Sequence, residues 1–297
     1  MSSSTGSGAA VDEGQWPYDR RVRWRGLSRE MRPIAFESYG VRVLVEVPDA
    51  GSARRIEPLL PERRRSCEAA NPDLSYVLRS DGAAGFDVLA GRSAICMSAE
   101  LDVAVAVLET QIRTAIALRA ADSVFVHAGV VAHRGRAILM PGASFSGKTT
   151  LVAALVRAGA SYLSDEYAVL DEDGLVHAYP KPLSMRTPGS HRQTERRVES
   201  IGGAQGKGMA PVGLIVITAF RPGGEWTPRR RSAGQGALAL LANTVPARER
   251  PGECLRAVRA ASETALVLEG ERGEAGDAAP DLLAALERAA EPVRAPA

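Results

Sequence analysis

The sequence predicts a mixed α/β (α+β) protein, with a phosphate-loop core preceded by a smaller, mostly β N-terminal module. Three observations predict it. The apolar run at residues 137–140 leads into Gly142-Ala143-Ser144-Phe145-Ser146-Gly147-Lys148-Thr149 and then into an Ala/Leu/Val-rich helix over 148–157. Short alternating or apolar runs bounded by turn residues fill 36–98 and read as strands. A stretch at 101–121, apolar on one broad face, reads as a long helix between the two parts.

Taken in order, residues 1–15 are small and polar, with the composition of a disordered terminus. Residues 16–33 set Trp16, Tyr18 and Trp24 among arginines and read as an extension packed on the body. The N-terminal module spans 16–120, with strands expected at 39–47, 74–78, 86–89 and 91–97 and a short helix near 53–62. The core spans 121–290 and begins with a β-branched strand at 123–133, which turns at Arg134-Gly135 into the strand before the loop. Gly159 stops the loop helix. Strands follow at 161–163 and 167–170, with a hairpin turn at Asp173-Gly174. Residues 189–209 are polar, basic and glycine-containing and read as a mobile loop. A buried strand at 212–220, helices near 237–242 and 253–261, a strand at 264–268 and a helix at 279–290 complete the core, and 291–297 form a Pro/Ala-rich tail.

Composition excludes several classes. The 297 residues carry a net charge of only +2 with both signs interspersed, which gives no bulk attraction to nucleic acid or membrane. Cys67, Cys96 and Cys254 are scattered without metal-ligand spacing, as expected of a reducing cytoplasm. The N-terminus has no apolar signal region and no stretch is apolar enough for a membrane span, so the expected location is the cytoplasm.

The chemistry centres on the loop. Backbone N–H groups of Gly142, Ala143, Ser144, Phe145, Ser146 and Gly147 form an anion nest at a helix N-terminus. Lys148 adds a full positive charge, the Thr149 hydroxyl suits Mg²⁺, and Thr150 follows in the first helical turn. The expected ligand is therefore a nucleotide. A phosphate loop that transfers a group also needs a carboxylate for the metal and a base. Asp165 and Glu166 end the strand after the loop helix, and the spacing predicts that this strand returns beside the loop strand, with its end at the same edge. One carboxylate there can hold Mg²⁺ while the other takes a proton. His127 lies mid-strand before Gly129; it either is a satisfied core residue or reaches the phosphates or a carboxylate. Lys181 and Arg186 either contact acceptor or phosphate or are solvated charges at a strand end, and surface charge is the default for Arg221 and for Arg229-Arg230-Arg231.

The segment His127-Ala-Gly-Val-Val, the loop, the helix ending Val156-Arg-Ala-Gly159 and Tyr162-Leu-Ser-Asp-Glu166 resembles the catalytic core of HPr kinase/phosphorylase and its relatives over about residues 121–187. The resemblance implies a fold akin to ATP-dependent phosphoenolpyruvate carboxykinase and γ-phosphoryl transfer from ATP to a serine hydroxyl. It implies that Asp165 is the base, that Lys148 and Thr149 hold phosphates and Mg²⁺ with Glu166 near the metal, and that His127 lies beside the phosphates. The family commonly forms homo-oligomers. Two features depart from it: the loop centre reads Ala-Ser-Phe-Ser, and Ala178-Tyr-Pro-Lys-Pro-Leu-Ser-Met-Arg186 stands where HPr kinases carry Glu-x-Arg-Gly-Leu-Gly. The chain thus looks more like divergent relatives, some of which tailor peptides, including kinases that phosphorylate a serine of lasso peptides. The expected acceptor is a serine of a peptide or small protein. The alternatives are a nucleotide-binding regulatory or scaffold protein without transfer, and a small-molecule alcohol kinase.

Overall fold

Two large sheets divide the chain, and the passage from one to the other falls between residues 119 and 124. The computed structural model describes residues 31–82, 85–142, 147–186 and 193–290. Within them the chain is a mixed α/β protein with six α-helices and several sheets. The expectations for 1–15, most of the 16–33 extension, loop residues 143–146 and the tail lie outside the described residues.

The first sheet is built from β1 (Arg32–Ser38), β2 (Val41–Val47), β3 (Arg65–Ser66), β4 (Leu74–Ser80), β5 (Phe86–Ala90) and β6 (Ser93–Ala99), in the order β3-β1-β2-β4-β5-β6. Tyr39 and Gly40 join β1 to β2 with φ of 51° and 75°, the left-handed pair that matches the twist of a two-residue hairpin. Helix α1 (Ala50–Ile56) follows β2, capped by the Asp49 carboxylate on the Ser52 N–H. Helix α2 (Leu101–Arg119) lies on the sheet, its Leu108, Ile112 and Ile116 buried with Val43, Val45, Leu78 and Val88. The alternation in β2 buries Val41, Val43, Val45 and Val47, the pattern that marked this segment as a strand with one core face.

The second sheet starts with β7 (Val124–His133) and β8 (Arg136–Pro141), an antiparallel hairpin. Helix α3 (Lys148–Arg157) follows, then β9 (Ser161–Ser164), β10 (Tyr167–Leu170) and β11 (Val176–His177). Next come β12 (Leu183–Arg186), β13 (Gln193–Arg196), β14 (Ala204–Gln205), β15 (Met209–Ala210), β16 (Val212–Phe220) and β17 (Arg229–Arg231). Helices α4 (Ala233–Leu241) and α5 (Pro251–Glu263), strand β18 (Leu266–Arg272) and helix α6 (Ala275–Ala290) close the chain. The sheet order is β15-β11-β10-β7-β8-β16-β18-β17, with β9 also on β7 and β14 on β9. Helices α3 and α6 cover one face through Leu151, Leu155, Leu282 and Leu286; α4 and α5 cover the other through Leu240, Cys254 and Val258. Strands β8, β16 and β18 are mutually parallel, so their carboxyl ends share one edge, where ligands of such sheets bind. No described helix is long and apolar enough to cross a membrane.

Two expectations change. The strand at 161–164 does not lie beside the loop strand; β7 stands between them, because β7 is long enough to pair β10 along its first half and β9 along its second. Residues 189–209 are not one structureless loop. Among those described, β13 pairs with β12, residues 198–201 form a 3-10 turn, β14 pairs with β9 and β15 with β11. Polar composition concealed these strands because most of their side chains face solvent. Arg229-Arg230-Arg231 likewise forms an edge strand on β18, where charged side chains suit an exposed margin.

Candidate active site

The site begins at the carboxyl end of β8. Gly147 adopts φ 82° at the N-cap of α3, a left-handed turn that glycine takes without strain, and α3 opens with Lys148 and Thr149. Lys148 Nζ donates to the Gly142 carbonyl at 2.6 Å, which folds the side chain back over the loop. The Gly142 N–H in turn donates to the His127 carbonyl at 3.2 Å, tying the loop's start to β7. Gly129 of β7 explains how α3 comes so near: a Cβ there would stand 2.6 Å from Val152 Cγ2 and 3.7 Å from Lys148 Cβ.

The carboxylates come from a break between β9 and β10. Ala128 of β7 pairs with Pro141, the last residue of β8, and its N–H donates to the Glu166 carbonyl at 3.2 Å. The break therefore lies level with the start of the loop. Buried Ser164 shapes it: its hydroxyl accepts from the Glu166 and Tyr167 N–H groups at 3.1 and 3.0 Å.

The two adjacent acids have different partners. The Thr149 hydroxyl donates to Asp165 Oδ2 at 3.2 Å. Tyr162, on β9, sets its hydroxyl 3.1 Å from Asp165 Oδ1 and 2.7 Å from the Lys181 carbonyl. One hydroxyl carries one proton, so when it lies on the shorter bond the Tyr162 oxygen is free to accept from a protonated Asp165. Burial raises the Asp165 pKa and Glu166 adds to the rise; Lys181 and the bonds from Tyr162 and Thr149 oppose it. Glu166 instead meets Lys181, Nζ to Oε2 at 3.5 Å, and Oε2 makes no hydrogen bond although it is buried.

Lys181 also lies 3.6 Å from Glu109 of α2, and Glu109 accepts from Arg113 Nε at 2.9 Å. Burial alone would lower the Lys181 pKa, but Glu166 and Glu109 together raise it, so Lys181 is a cation at neutral pH. Arg113, only 4% exposed, donates to the Tyr179 hydroxyl at 2.8 Å and to the Leu59 carbonyl at 2.7 Å. A continuous run of charges thus joins the first sheet's helix to the carboxylate break.

His127 has an exposed ring beside Tyr167, centroids 4.8 Å apart. The surrounding protein still removes enough water to lower its pKa; Glu166 opposes the shift and Lys148 reinforces it. Burial likewise lowers the Lys148 pKa against the pull of Asp165. His127 therefore joins the site as an exposed neighbour of the lysine and the acids.

Of the residues that the sequence singles out, the fold gathers Gly142, Gly147, Lys148, Thr149, Asp165, Glu166, His127 and Lys181. Thr150 is exposed on the first turn of α3. Arg186 lies at the end of β12 opposite Gln193, five residues beyond Lys181. Ala143, Ser144, Phe145 and Ser146 lie outside the described residues. Sequence reasoning missed Tyr162, Glu109 and Arg113 as participants, and also Arg272, whose Nη2 donates to the Gly147 carbonyl at 3.0 Å. Tyr162 carried a signal, three residues before Asp165 on a predicted strand; the others carried none, because they arrive from distant elements.

The oxygen donors of Thr149 and Asp165 are hard and adjacent at the start of α3, which fits a Mg²⁺ that would share its shell with phosphate oxygens and water. Among the described residues no group of three or more His, Cys, Asp or Glu forms a metal cage, so phosphate oxygens would have to complete such a shell. No family model matches the chain, and no curated protein matches it.

Proposed function

We propose that the chain is an ATP- and Mg²⁺-dependent phosphotransferase acting on an alcohol, with a serine of a peptide or small protein as acceptor. The observation that carries this reading is the Asp165 carboxylate 3.2 Å from the Thr149 hydroxyl, one residue from Lys148. A phosphate-loop helix and a carboxylate of raised pKa in contact are the minimum for phosphate positioning and proton removal. A reducing cytoplasm belongs to the same reading, since Cys67, Cys96 and Cys254 are all free.

Thr149 and Asp165 would hold Mg²⁺, which when bound neutralises phosphate charge. Lys148 leaves the Gly142 carbonyl for the β- and γ-phosphates. The acceptor hydroxyl oxygen bonds to the γ-phosphorus, the bond to the β–γ bridging oxygen breaks, and the hydroxyl proton passes to Asp165. Asp165 can keep that proton against the Tyr162 oxygen, whose own proton rests on the Lys181 carbonyl. The Lys181 ammonium sits beside both acids and stabilises negative charge gathered there. His127, kept neutral by its lowered pKa, lines the approach without adding a second cation.

The chain of Arg113, Glu109, Lys181 and Glu166 favours a second reading, a nucleotide-binding regulator that reports occupancy to the first sheet. Transfer from γ-labelled ATP with Mg²⁺ separates the two. Wild type and Asp165→Asn are compared on serine-containing peptides, free serine and HPr. The kinase reading expects labelled product from wild type and its loss in the variant with ATP binding retained. Tight ATP binding without transfer to any acceptor tried would favour the regulator, and labelled free serine would point to a small-molecule kinase.

A further inference from the structure

The β16 side of the loop holds a second group of side chains that the proposed chemistry does not use. Ile215 of β16 pairs with Leu139 of β8; β8 ends two residues later, whereas β16 runs on to Phe220. Strand β16 therefore overshoots the loop strand by three residues, about 10 Å at the rise of a strand. Leu214 and Val216 face α3 and α6, so the alternation puts Thr218 and Phe220 on that same face, beyond the level at which β8 ends. Strand β18 runs in register: Thr218 stands opposite Gly270 and Phe220 opposite Arg272.

Arg272 is 2% exposed and makes no salt bridge among the described residues. Its Nη2 donates to the Gly147 carbonyl at 3.0 Å and its Nη1 to the Gly273 carbonyl at 3.0 Å, while Nε is buried without a partner. The guanidinium carbon lies 5.8 Å from the centre of the Phe220 ring. Phe220 is nonetheless 48% exposed. The Thr218 hydroxyl is buried and unpartnered in the same strip. Buried polar atoms without partners are uncommon, and two of them beside one exposed ring mark a place that a ligand completes.

We propose that this strip is the nucleoside side of the site: a nucleotide base stacks on the Phe220 ring, and Arg272 is the positioning residue that fixes the ring against Gly147. The assignment rests on the nucleotide-binding reading of the loop. It places the base on the flank opposite the carboxylates, so that the phosphates cross the loop between the two. Arg272 backs the aromatic face, and its bond to Gly147 fixes the distance from ring to phosphate nest. Glycine at 147 belongs to this arrangement, since a Cβ there would meet Arg272 Nη2 at 2.7 Å.

The test is calorimetric titration of the full chain with Mg·ATP and with inorganic tripolyphosphate, comparing wild type, Phe220→Ala and Phe220→Tyr. Loss of a base stack weakens binding by about tenfold. Phe220→Ala should therefore lose about that factor for ATP, Phe220→Tyr should stay near wild type, and all three should bind tripolyphosphate alike, which also shows that the variants are folded. ATP binding by Phe220→Ala equal to wild type, or an equal loss for tripolyphosphate, overturns the assignment. Wild type that binds neither ligand overturns the loop reading beneath it, a result distinct from failure of the strip alone.

Discussion

On the β7 side of the loop strand the chain gathers Asp165, Glu166, Lys181 and Glu109, with Arg113 behind them; on the β16 side it sets Thr218, Phe220 and Arg272. The first flank is a network of opposite charges drawn from both sheets, in which Glu166 and Glu109 raise the Lys181 pKa and Lys181 holds down that of Asp165. The second has one buried cation, Arg272, which makes no salt bridge among the described residues, and one exposed ring. Under the proposed reading the two flanks differ because their roles differ. Moving a proton and a phosphoryl group needs charges that respond to one another, while holding a base needs a flat apolar face at a fixed distance. Helix α3 and its N-cap touch each flank, through Thr149 on one side and Gly147 on the other.

The sharpest way to break this contrast is Asp165→Asn, which should lower kcat by about 10²- to 10⁴-fold, the usual worth of a general base, and weaken Mg·ATP binding by a much smaller factor, because the Asn carbonyl oxygen can still face Mg²⁺. Steady-state kinetics beside calorimetry check it. The next largest effect concerns stability. Arg113→Ala removes the cation that Glu109, the Tyr179 hydroxyl and the Leu59 carbonyl share, and breaking such a buried pair costs about 3–5 kcal/mol in denaturant unfolding. Gly129→Ala forces a methyl against Val152 and should cost about 1–3 kcal/mol. It should weaken ATP and tripolyphosphate together, in contrast to Phe220→Ala.

The smallest effect is a pH dependence. Burial raises the Asp165 pKa in the folded state, so its favourable contribution is complete below the ordinary value of 3.8 and is lost as pH rises through the raised one. Thermal melts of the ligand-free chain should then show Asp165→Asn gaining on wild type over that interval, with a constant gap above it. A gap that shrinks with rising pH would mean that the carboxylate is stabilised in its charged form, and the contrast between the flanks would lose its basis.

The parts of the site legible in the sequence are those made by neighbours along the chain. Strand, loop and helix at 136–157 follow from composition and spacing, and helix α3 has the bounds that its apolar run predicts. Asp165 and Glu166 are legible as acids at a strand end, but their separate partners are not, because Asp165 meets Thr149 of α3 and Tyr162 of β9 while Glu166 meets Lys181 from the segment after β11. Nothing local in Arg113 or Glu109 distinguishes them from the other charges on an amphipathic helix. Arg272 reads as one more charge in Glu-Gly-Glu-Arg, and only the pairing of β18 with β16 brings it to Gly147. The short strands of 193–210 escaped notice because they lie at margins of sheets, where polar side chains are the rule.

Asp165 and Glu166 are consecutive, yet one meets the loop helix through Thr149 and the other meets Lys181, which in turn meets Glu109 on the helix of the first sheet. A single peptide unit therefore separates the residue that would do chemistry from the residue that would listen to the rest of the molecule. Sequence drift at this point is constrained in length more than in kind. Exchange of one acid for another keeps each side chain in its own neighbourhood, whereas loss or gain of one residue between Ser164 and Tyr167 would swap the neighbourhoods themselves.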